Sequence, residues 1–480
     1  MMTSIKCPLA EKANTHPQNP ALIFQEQTLT YADYNKTVNQ TVQFLKKQSI
    51  QKGDHVGILC DNHLNYVILI YALWRVGAVA VLLNKRLPEE TALNHIQQYQ
   101  CRFIFHNGQI RTDIPSAHLT SLIFDEADAP SEPKLFDPEQ DATIMLTSGS
   151  SAQPKAALHS FGNHYYSALG SNEFIPFEQN DRWFLNLPLF HVGGLSIILR
   201  TILGGGCCVI AATDDDIFPL IENHGITHLS LVPTQLQRIL SDKQTTPILK
   251  HCHCILVGGG PVWPSLKEEI LRQQLPVRLT YGLTEMSSQV ATTSILSEKP
   301  ESHKARLLKY REIQMGKDNE IYVKGKTLFK GYLKGDSPQK GTAPKIISPF
   351  DSDGWFPTGD LGTWTAEGLT ISGRKDNLFI SGGENIQPEE IEAALLNIPG
   401  IRAAVVVPVK DPEFGQRPIA FVKTEAEGDS PLLGTVPDNL VRMMTETLAK
   451  TLPKYKIPVK FYPWPENQRS LKVNRQMFKM

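Results

Sequence analysis

Helical and extended patterns alternate along the first part of the chain. Apolar residues recur at helical spacing from Tyr31 to Lys47, and a short apolar run from Val56 to Leu59 predicts a strand. The longest apolar run, Tyr66 to Leu83, is interrupted by an arginine and a glycine. It therefore predicts a buried helix ending near Val76 and a strand from Ala78 to Leu83, and not a membrane span. Such alternation favours an α/β fold in which helices cover parallel-rich sheets.

Short strands continue through the middle of the chain. They are predicted at Ile104–Phe105, Leu122–Phe124, Trp183–Leu187, Leu229–Val232, Cys252–Val257, Glu320–Val323 and Phe329–Tyr332. The last two are assigned to a smaller β-rich subdomain. The segment from Asp125 to Gln140 is rich in Asp, Glu and Pro, and we interpret it as a surface connection. A helix from Leu195 to Leu203 is apolar except for a few positions, one of them Arg200.

A boundary between two domains is predicted at Gly373 to Asn377, which divides the chain into residues 1–375 and 376–480. The second part is expected to be a small α/β unit. Its predicted elements are a turn at Ser381–Ile386, a helix at Pro388–Leu396, strands at Ala403–Val409 and Ile419–Val422, and a helix at Pro437–Lys450.

Composition narrows the class of protein. A chain of 480 residues is too long for one ordinary core, so two or more domains are expected. Its 48 basic and 49 acidic residues give no indication of binding to nucleic acid or to an anionic membrane, which leaves small molecules as partners. The seven irregularly spaced cysteines, and an N-terminus without the apolar core of a secretory signal, favour a reducing cytoplasm. The oligomeric state stays open, a homo-oligomer included.

Two histidines and two cysteines alternate at His251-Cys252-His253-Cys254, which suggests a zinc site. Alternation along a strand would send the histidines to one face and the cysteines to the other, so the four could not easily meet at one ion. We therefore interpret Cys252 to Val257 as a strand that enters the turn containing Gly258 and Gly259. Backbone without side chains could there form the wall of a flat pocket.

Hydroxyl residues and a glycine are concentrated between the apolar runs 142–146 and 156–158. The segment reads Thr147, Ser148, Gly149, Ser150, Ser151, Ala152, Gln153, Pro154 and Lys155. Backbone N–H groups, hydroxyls and the lysine charge can converge on phosphate oxygens in such a turn. It is not a Walker A loop, because a proline stands where the second glycine should be. Ordinary surface loops are also rich in serine and glycine.

Five further motifs follow in order: Pro188–His191, Tyr281–Glu285, Gly354–Asp360, Gly373–Asp376 and Lys472–Arg475. Together with the loop at 147–155 they resemble the signature of the acyl-adenylate-forming superfamily. The resemblance implies a large N-terminal domain, a small mobile C-terminal α/β domain, and the activation of a carboxylic acid by ATP. It also implies Mg²⁺ as cofactor.

The resemblance implies roles for individual residues. The nucleotide would be held by the loop together with Tyr281, Gly282, Asp360 and Arg374, while Thr284 would meet the α-phosphate and Glu285 the Mg²⁺. Lys472 would be the catalytic lysine, His191, Gly258 and Gly259 would lie beside the acyl group, Asp376 would be the hinge, and Ser381, Gly382 and Gly383 would border the CoA channel. From the residues alone, Asp360 and Arg374 could instead form a surface ion pair, His191 a satisfied histidine and Lys472 an exposed tail lysine.

Within the superfamily, Ser230–Leu236, Gly373–Glu390 and Glu413–Pro418 resemble bacterial o-succinylbenzoate–CoA ligases of menaquinone biosynthesis. In those ligases a basic residue nine positions after the motif histidine meets the aromatic carboxylate, and here it is Arg200. The arginine alone could equally snorkel to solvent or meet an anion. Alternatives are a ligase for a benzoate-type acid, a carrier-loading module, or a non-catalytic nucleotide-binding homologue. Two departures from the family pattern are Ala152 and Leu471, where many members have glycine.

Overall fold

The computed structural model describes residues 4–122, 135–147, 154–212, 217–241, 246–334, 344–381, 384–424, 436–465 and 475–478. Its α-helices, in chain order, are α1 (Pro8–Thr15), α2 (Tyr31–Lys47), α3 (Leu64–Val76), α4 (Glu89–Gln98), α5 (Phe161–Phe174), α6 (Val192–Gly204), α7 (Ile217–Asn223), α8 (Pro233–Leu240), α9 (Thr246–Leu249), α10 (Pro264–Gln273), α11 (Pro388–Leu396) and α12 (Asp438–Leu448).

The strands of the first half are β1 (Ile5–Lys6), β2 (Pro20–Phe24), β3 (Gln27–Thr30), β4 (His55–Leu59), β5 (Val79–Leu82), β6 (Phe103–His106), β7 (Ser116–His118), β8 (Leu135–Phe136), β9 (Asp141–Thr147), β10 (Lys155–Ser160), β11 (Arg182–Leu185), β12 (Cys207–Ile210) and β13 (His228–Leu231). Those of the second half are β14 (Cys254–Val257), β15 (Val277–Leu283), β16 (Ser288–Thr292), β17 (Arg306–Leu307), β18 (Arg311–Met315), β19 (Glu320–Gly325), β20 (Gly331–Lys334), β21 (Lys345–Ile347), β22 (Phe356–Thr365), β23 (Gly368–Arg374), β24 (Phe379–Ser381), β25 (Glu384–Ile386), β26 (Ile401–Asp411), β27 (Gly415–Thr424) and β28 (Phe461–Pro463).

Two large sheets form the main body. One has the order β17-β16-β15-β14-β13-β11-β12-β2-β3 and is parallel from β15 to β2. The other has the order β21-β20-β10-β9-β5-β4-β6-β7 and is parallel from β9 to β7. The predicted α/β class with parallel-rich sheets is thereby confirmed.

The helices follow local signals in the sequence. Helix α2 begins at a capping box in which Thr30 and Asp33 satisfy each other's backbone N–H groups. Helix α3 is almost entirely buried, which explains why its sequence is apolar on every side. It ends at Gly77, whose φ of 81° is a left-handed conformation that glycine adopts without cost. The predicted helix and strand within the run 66–83 are confirmed, and no described helix is long and apolar enough to cross a membrane.

A third sheet, in the order β18-β19-β22-β23, is antiparallel and forms the β-rich part. The assignment of Phe329–Tyr332 to this part is wrong. The strand there is β20, which pairs with β10 in the eight-stranded sheet through Ala157 and Tyr332. Strand pairing joins segments more than 170 residues apart, so the local pattern could not choose between the sheets.

Residues after 376 form their own hydrophobic cluster. Strands β26, β27 and β28 make a three-stranded sheet, and α11 and α12 supply apolar side chains such as Ile391, Leu395 and Met444. Helix α11 has the predicted bounds, with Pro388 at its first position. The predicted turn at Ser381–Ile386 is a hairpin of β24 and β25, and Gly382 and Gly383 lie outside the described residues. The division at 375/376 stays a proposal, which this separate core supports.

The prediction of a surface connection from Asp125 to Gln140 is partly wrong. Residues 125–134 lie outside the described residues, but Leu135 and Phe136 form β8, which pairs with β1. Phe136 is only 1% exposed and stacks on Phe161 with ring centroids 4.1 Å apart. The strand predicted at Leu122–Phe124 is not found at Leu122, which follows a 3-10 helix; the other two residues lie outside the described ranges.

Phe136→Ala is expected to lower the free energy of unfolding by about 3–5 kcal/mol, because it leaves a cavity between Phe161 and the edge of the Tyr71 ring. The matched control is Leu135→Ala, since Leu135 is 54% exposed and should change stability by no more than about 0.5 kcal/mol. Urea denaturation followed by circular dichroism measures both. Equal losses in the two variants would contradict the packing described for β8.

Candidate active site

The hairpin of β15 and β16 lies at the centre of the candidate site. Its register shifts between Tyr281 and Gly282, and a 3-10 turn at Thr284–Met286 joins the two strands. A Cβ atom on Gly282 would stand 2.1 Å from the backbone oxygen of Ser288, so no other residue fits there. Ser288 itself has a φ of 105°, a strained value for a residue with a side chain. This turn directs three side chains towards three different neighbours.

The first neighbour is the predicted ribose carboxylate, Asp360. The Tyr281 hydroxyl donates to its Oδ2 at 2.7 Å, and Arg374 donates to its Oδ1 at 2.8 Å. Asp360 is only 8% exposed, and burial raises its pKa, while the Arg374 charge opposes that shift. Asp360 and Arg374 thus form an ion pair, as one of the two alternatives for them predicts. It is not a surface ion pair, however, because the Asp360 carboxylate is buried. Arg374 also reaches Asp376, the predicted hinge residue, at 3.3 Å.

The second neighbour is Tyr332, whose hydroxyl donates to Glu285 Oε1 at 2.6 Å. The Lys155 ammonium lies over the Tyr332 ring, 5.2 Å from its centroid. Lys155 pairs with Thr147 across β9 and β10, so the two ends of the predicted phosphate loop lie next to each other. The loop thus joins two antiparallel strands and does not open a helix. Ser148, Gly149, Ser150, Ser151 and the departure at Ala152 lie outside the described residues.

The turn after β15 is supported from behind by a buried histidine. His159 Nε2 lies 2.7 Å from the Thr284 carbonyl oxygen, which can only accept, so Nε2 carries the proton. Burial lowers the pKa of His159 to about 4, which keeps the ring neutral. The backbone N–H of Phe329 donates to the Glu285 carbonyl at 2.8 Å. These contacts fix the backbone that carries the Thr284 and Glu285 side chains.

The third neighbour is Arg200, which lies in α6 and is 1% exposed. Its guanidinium donates to Ser288 Oγ at 3.2 Å and lies 5.2 Å from the centroid of the Trp183 ring. Its Nε has no hydrogen-bond partner, and no carboxylate of the described residues forms an ion pair with it. Burial lowers the pKa of Arg200 to about 9. Arg200 therefore does not snorkel to solvent, because its guanidinium is buried.

The predicted acyl-pocket residues lie at the carboxyl ends of the strands beside this hairpin. His191 is exposed and precedes α6, with its ring 4.7 Å from Phe190. Nine residues of helix place Arg200 roughly 13 Å further along the axis. Gly258 follows β14, where a Cβ would stand 2.6 Å from Thr280 Cγ2, and Gly259 has a φ of 79°. The missing side chain at Gly258 therefore permits close packing of β14 on β15.

The carboxyl-terminal candidates are only partly described. Ser381 is 3% exposed, whereas Gly382, Gly383, Lys472 and the departure at Leu471 lie outside the described residues. Three residues after Lys472, the Arg475 guanidinium donates to Glu389 at 3.0 Å and to Glu392 Oε2 at 2.6 Å. Glu392 is buried, and burial raises its pKa while Arg475 opposes the shift. This clamp fixes the tail to α11.

Three residues with a part in this geometry carried no local signal in the sequence. They are His159, Ser288 and Tyr332, whose partners lie 125, 88 and 47 residues away. Among the predicted residues, the structure joins Tyr281, Asp360 and Arg374 in one contact group. Glu285 and Lys155 both contact Tyr332, Glu285 at its hydroxyl and Lys155 over its ring.

Comparison with known proteins identifies the fold of this site. A family model described as AMP-binding enzyme matches residues 9–333, and its companion, AMP-binding enzyme C-terminal domain, matches residues 390–470. The chain belongs to the AMP-binding enzyme family. The second match begins 14 residues after the boundary predicted at 375/376.

Relatives in the AMP-binding enzyme family match along nearly the whole chain. A 2-succinylbenzoate–CoA ligase of Bacillus velezensis is 34% identical over 479 residues, covering 95% of this chain and 93% of the relative. A ligase of the same description from Haemophilus influenzae is 33% identical over 454 residues, covering 94% and 92%. The structure of o-succinylbenzoate CoA synthetase from Bacillus subtilis in complex with the acyl-adenylate intermediate is similar with a TM-score of 0.86, at 30% identity, over 100% of this chain and 99% of that one.

These comparisons confirm three predictions: the adenylate-forming superfamily, the subfamily resemblance and the class of enzyme, an AMP-forming acid–thiol ligase. The roles of individual residues stay predictions. Among the described residues, their contacts join the hairpin of β15 and β16 to the β-rich sheet through Asp360 and to the eight-stranded sheet through Tyr332.

Asp360→Asn is expected to weaken AMP binding by about tenfold or more, because a charged acceptor for ribose hydroxyls becomes neutral. The matched control is Asp376→Asn, which removes the exposed carboxylate on the other side of Arg374. Titration calorimetry with AMP should leave the control within about twofold of wild type. Equal losses would assign the effect to the position of Arg374 and not to ribose binding.

Proposed function

We propose that this chain is an ATP-dependent o-succinylbenzoate–CoA ligase that supplies o-succinylbenzoyl-CoA for menaquinone biosynthesis. The observation that carries this proposal is the buried guanidinium of Arg200, which has no acidic partner among the described residues. A buried charge without a counter-ion is costly, so its retention needs an anion that arrives with the substrate. A dicarboxylate supplies one carboxylate for this anchor and a second for the reaction.

The surroundings of Arg200 suit a carboxylate attached to an aromatic ring. The Trp183 ring lies on one side of the guanidinium, and the Ser288 hydroxyl fixes one of its nitrogens. A planar guanidinium can donate two parallel hydrogen bonds to a carboxylate. The ligases of Bacillus velezensis and Haemophilus influenzae act on 2-succinylbenzoate, which carries an aromatic and a succinyl carboxylate. Arg200 would hold the aromatic group and leave the succinyl group free to react.

In the first step, the succinyl carboxylate oxygen attacks the α-phosphorus of ATP, the bond to the β-phosphate oxygen breaks, and pyrophosphate leaves. Activation is needed because a carboxylate resists attack by a thiol, whereas an acyl-adenylate has AMP as a good leaving group. Thr284 would donate its hydroxyl to the α-phosphate, and Asp360 would orient the ribose. Lys472 would place positive charge on the phosphoryl oxygens in the transition state.

Glu285 fits the role of magnesium ligand. Its carboxylate is partly buried and offers hard oxygen donors, and the Tyr332 hydroxyl fixes one of them at 2.6 Å. When bound, Mg²⁺ would neutralise charge on the phosphates of ATP. A similar structure from Bacillus subtilis contains ATP and magnesium ion, with a TM-score of 0.82 at 30% identity over 96% of both chains.

In the second step, the CoA thiolate attacks the acyl carbon, the bond to the AMP oxygen breaks, and the thioester and AMP leave. The small unit would turn about Asp376 between the two steps, which withdraws Lys472 and brings Ser381, Gly382 and Gly383 to the pantetheine channel. Asn377 donates to Glu389 at 2.5 Å, and the same carboxylate accepts from Arg475, so hinge and tail share one partner.

All seven cysteines are free and buried, which fits synthesis in a reducing compartment. We therefore place the ligase in the cytoplasm, with o-succinylbenzoate, ATP and CoA as its partners. Incubation with o-succinylbenzoate and with plain benzoates, followed by mass spectrometry of the CoA thioesters, tests the substrate. Preference for a plain benzoate would replace the proposal by a benzoate–CoA ligase.

Arg200→Ala is expected to raise the KM for o-succinylbenzoate roughly a hundredfold, because the anchored carboxylate loses its buried partner. The KM for ATP should stay within about threefold. Arg200→Lys is the matched variant, since it keeps the positive charge but cannot form a bidentate contact with a carboxylate. Its KM for o-succinylbenzoate should lie between those of wild type and Arg200→Ala. Steady-state kinetics with each substrate varied measures the difference. Equal changes in both KM values would remove the assigned role.

Lys472→Ala is expected to slow adenylate formation about a hundred- to a thousandfold, since it removes one preorganised charge from the transition state. Thioester formation from synthetic o-succinylbenzoyl-AMP should stay near normal. Exchange of labelled pyrophosphate into ATP measures the first half-reaction, and release of AMP from the synthetic adenylate measures the second. Lys460→Ala, a change at an exposed lysine of the same unit, serves as control. Loss of both half-reactions would make the lysine structural.

A further inference from the structure

A second cluster of metal-binding side chains lies at the opposite edge of the nine-stranded sheet. Asp181 directly precedes β11, His228 is the first residue of β13, and His253 directly precedes β14. These three strands are neighbours in the order β14-β13-β11 and run parallel, so their starts meet at one edge. One donor atom from each of the three residues lies within 4.8 Å of the other two.

The cluster is separate from the nucleotide cleft. His191 and Gly258 follow the carboxyl ends of β11 and β14, whereas Asp181 and His253 precede the amino ends of the same strands. A strand of four residues spans about 13 Å, which separates the two edges. The reaction proposed above therefore assigns nothing to these three side chains.

The orientation of His228 suits a metal ligand. Its Nε2 lies 2.9 Å from the Pro176 carbonyl oxygen, so Nε2 carries the proton and Nδ1 holds a lone pair. Nδ1 faces Asp181 Oδ1 at 3.9 Å and the Thr227 hydroxyl at 2.8 Å. That hydroxyl also lies 3.3 Å from the Arg182 carbonyl, to which it can turn. A histidine that donates one ring N–H to a carbonyl and offers the other nitrogen is the usual form of a metal-bound imidazole.

Asp181 and His253 complete the donor set. The backbone N–H of Glu178 donates to Asp181 Oδ2 at 2.8 Å, which fixes the carboxylate with Oδ1 towards both histidines. His253 Nδ1 lies 2.8 Å from that oxygen, and its side chain is 66% exposed, so it can shift to admit an ion. Ligand atoms bound to one ion at about 2.0–2.2 Å stand roughly 3–3.6 Å apart. To reach that spacing, His253 would move away from Asp181 Oδ1, and Asp181 Oδ1 and His228 Nδ1 would approach each other from 3.9 Å.

We propose that Asp181, His228 and His253 bind one divalent transition-metal ion of the zinc type. Two imidazole nitrogens and one carboxylate favour Zn²⁺ over Mg²⁺ or Ca²⁺, which prefer oxygen donors only. The site opens into a cavity of about 390 Å³, which leaves room for water as a further ligand.

Two other groups beside the cluster set limits on its affinity and donor set. Arg278 lines the same cavity, and its charge opposes a cation, although its guanidinium lies against the Phe174 ring and donates to the Thr293 carbonyl at 3.3 Å. Binding in the micromolar range is therefore expected, and not the tighter binding of a structural zinc site. Cys254 also lines this cavity, and the Co²⁺ spectrum described below distinguishes a thiolate from nitrogen and oxygen ligands.

A bound ion would lie close to the proposed substrate anchor. The His228 ring is 5.1 Å from the Trp183 ring, and the Arg200 guanidinium lies 5.2 Å from the centroid of the same Trp183 ring. An ion bound by these three residues would also link the segment before β11 to the starts of β13 and β14. A ligand that binds only the folded state stabilises it, so Zn²⁺ is expected to raise the melting temperature.

The test uses full-length protein without a histidine tag, treated with EDTA and dialysed. Titration calorimetry with ZnCl2 alone should show one ion per chain, and His253→Ala should weaken binding more than about tenfold. His251→Ala is the matched control, because His251 is an exposed histidine of the same turn, two residues away, and should bind as wild type does. Asp181→Asn, which keeps the shape of the side chain, should also lose affinity.

The absorption spectrum of the Co²⁺ form provides a second measurement, in which nitrogen and oxygen ligands give no thiolate charge-transfer band. Equal binding by wild type, His253→Ala and His251→Ala would overturn the proposal. So would the absence of calorimetric binding in wild type, or loss of affinity in His251→Ala alone. A strong thiolate band would assign the metal to a cysteine instead.

Discussion

The close approach of two backbone segments at Gly282 and Ser288 governs the geometry of the candidate site. A side chain at Gly282 would collide with the Ser288 carbonyl. Glycine at this position therefore allows β15 and β16 to approach each other closely. Tightening places Tyr281 beside Asp360, Glu285 beside Tyr332 and Ser288 beside Arg200. The β-rich sheet, the eight-stranded sheet and α6 thus meet at one turn. The backbone strain at Ser288 is tolerated because the surrounding structure fixes it from several sides.

Two buried arginines near this turn differ in how their charges are satisfied. Arg311 donates to the carbonyls of Gln289, Lys309 and Ser167, so its guanidinium is surrounded by fixed acceptors. Arg200 has one hydroxyl and one aromatic face. Burial lowers the pKa of both to about 9, and each charge disfavours the other. Arg311 therefore supports the turn, while Arg200 keeps donors available for an anion.

Much of the fold could be predicted because its signals are local. Helices α2 and α11 have their predicted bounds, since a capping box and a proline mark their starts. The sequence predicts a surface position for Phe136, because the segment around it is rich in polar residues. Its packing partners lie far away in the sequence, on α5 and α3. The alternation at His251–Cys254 predicts that those four residues do not meet at one ion, but it cannot show that His253 meets Asp181 and His228 from other strands. The burial of Phe136 and the contacts of His253 both depend on which distant segments meet. A single sequence does not show this.

The attachment of the chain's end to α11 bears on how Lys472 can move. Trp464 and Phe478 contact each other with ring centroids 5.2 Å apart, and Arg475 is clamped between Glu389 and Glu392. The described residues before and after positions 466–474 are therefore both attached to the small unit. If Lys472 has the proposed catalytic role, its reach would depend on where the small unit sits, because the chain that carries it is anchored there at both ends. Delivery and withdrawal of the lysine would then be a single rigid-body event.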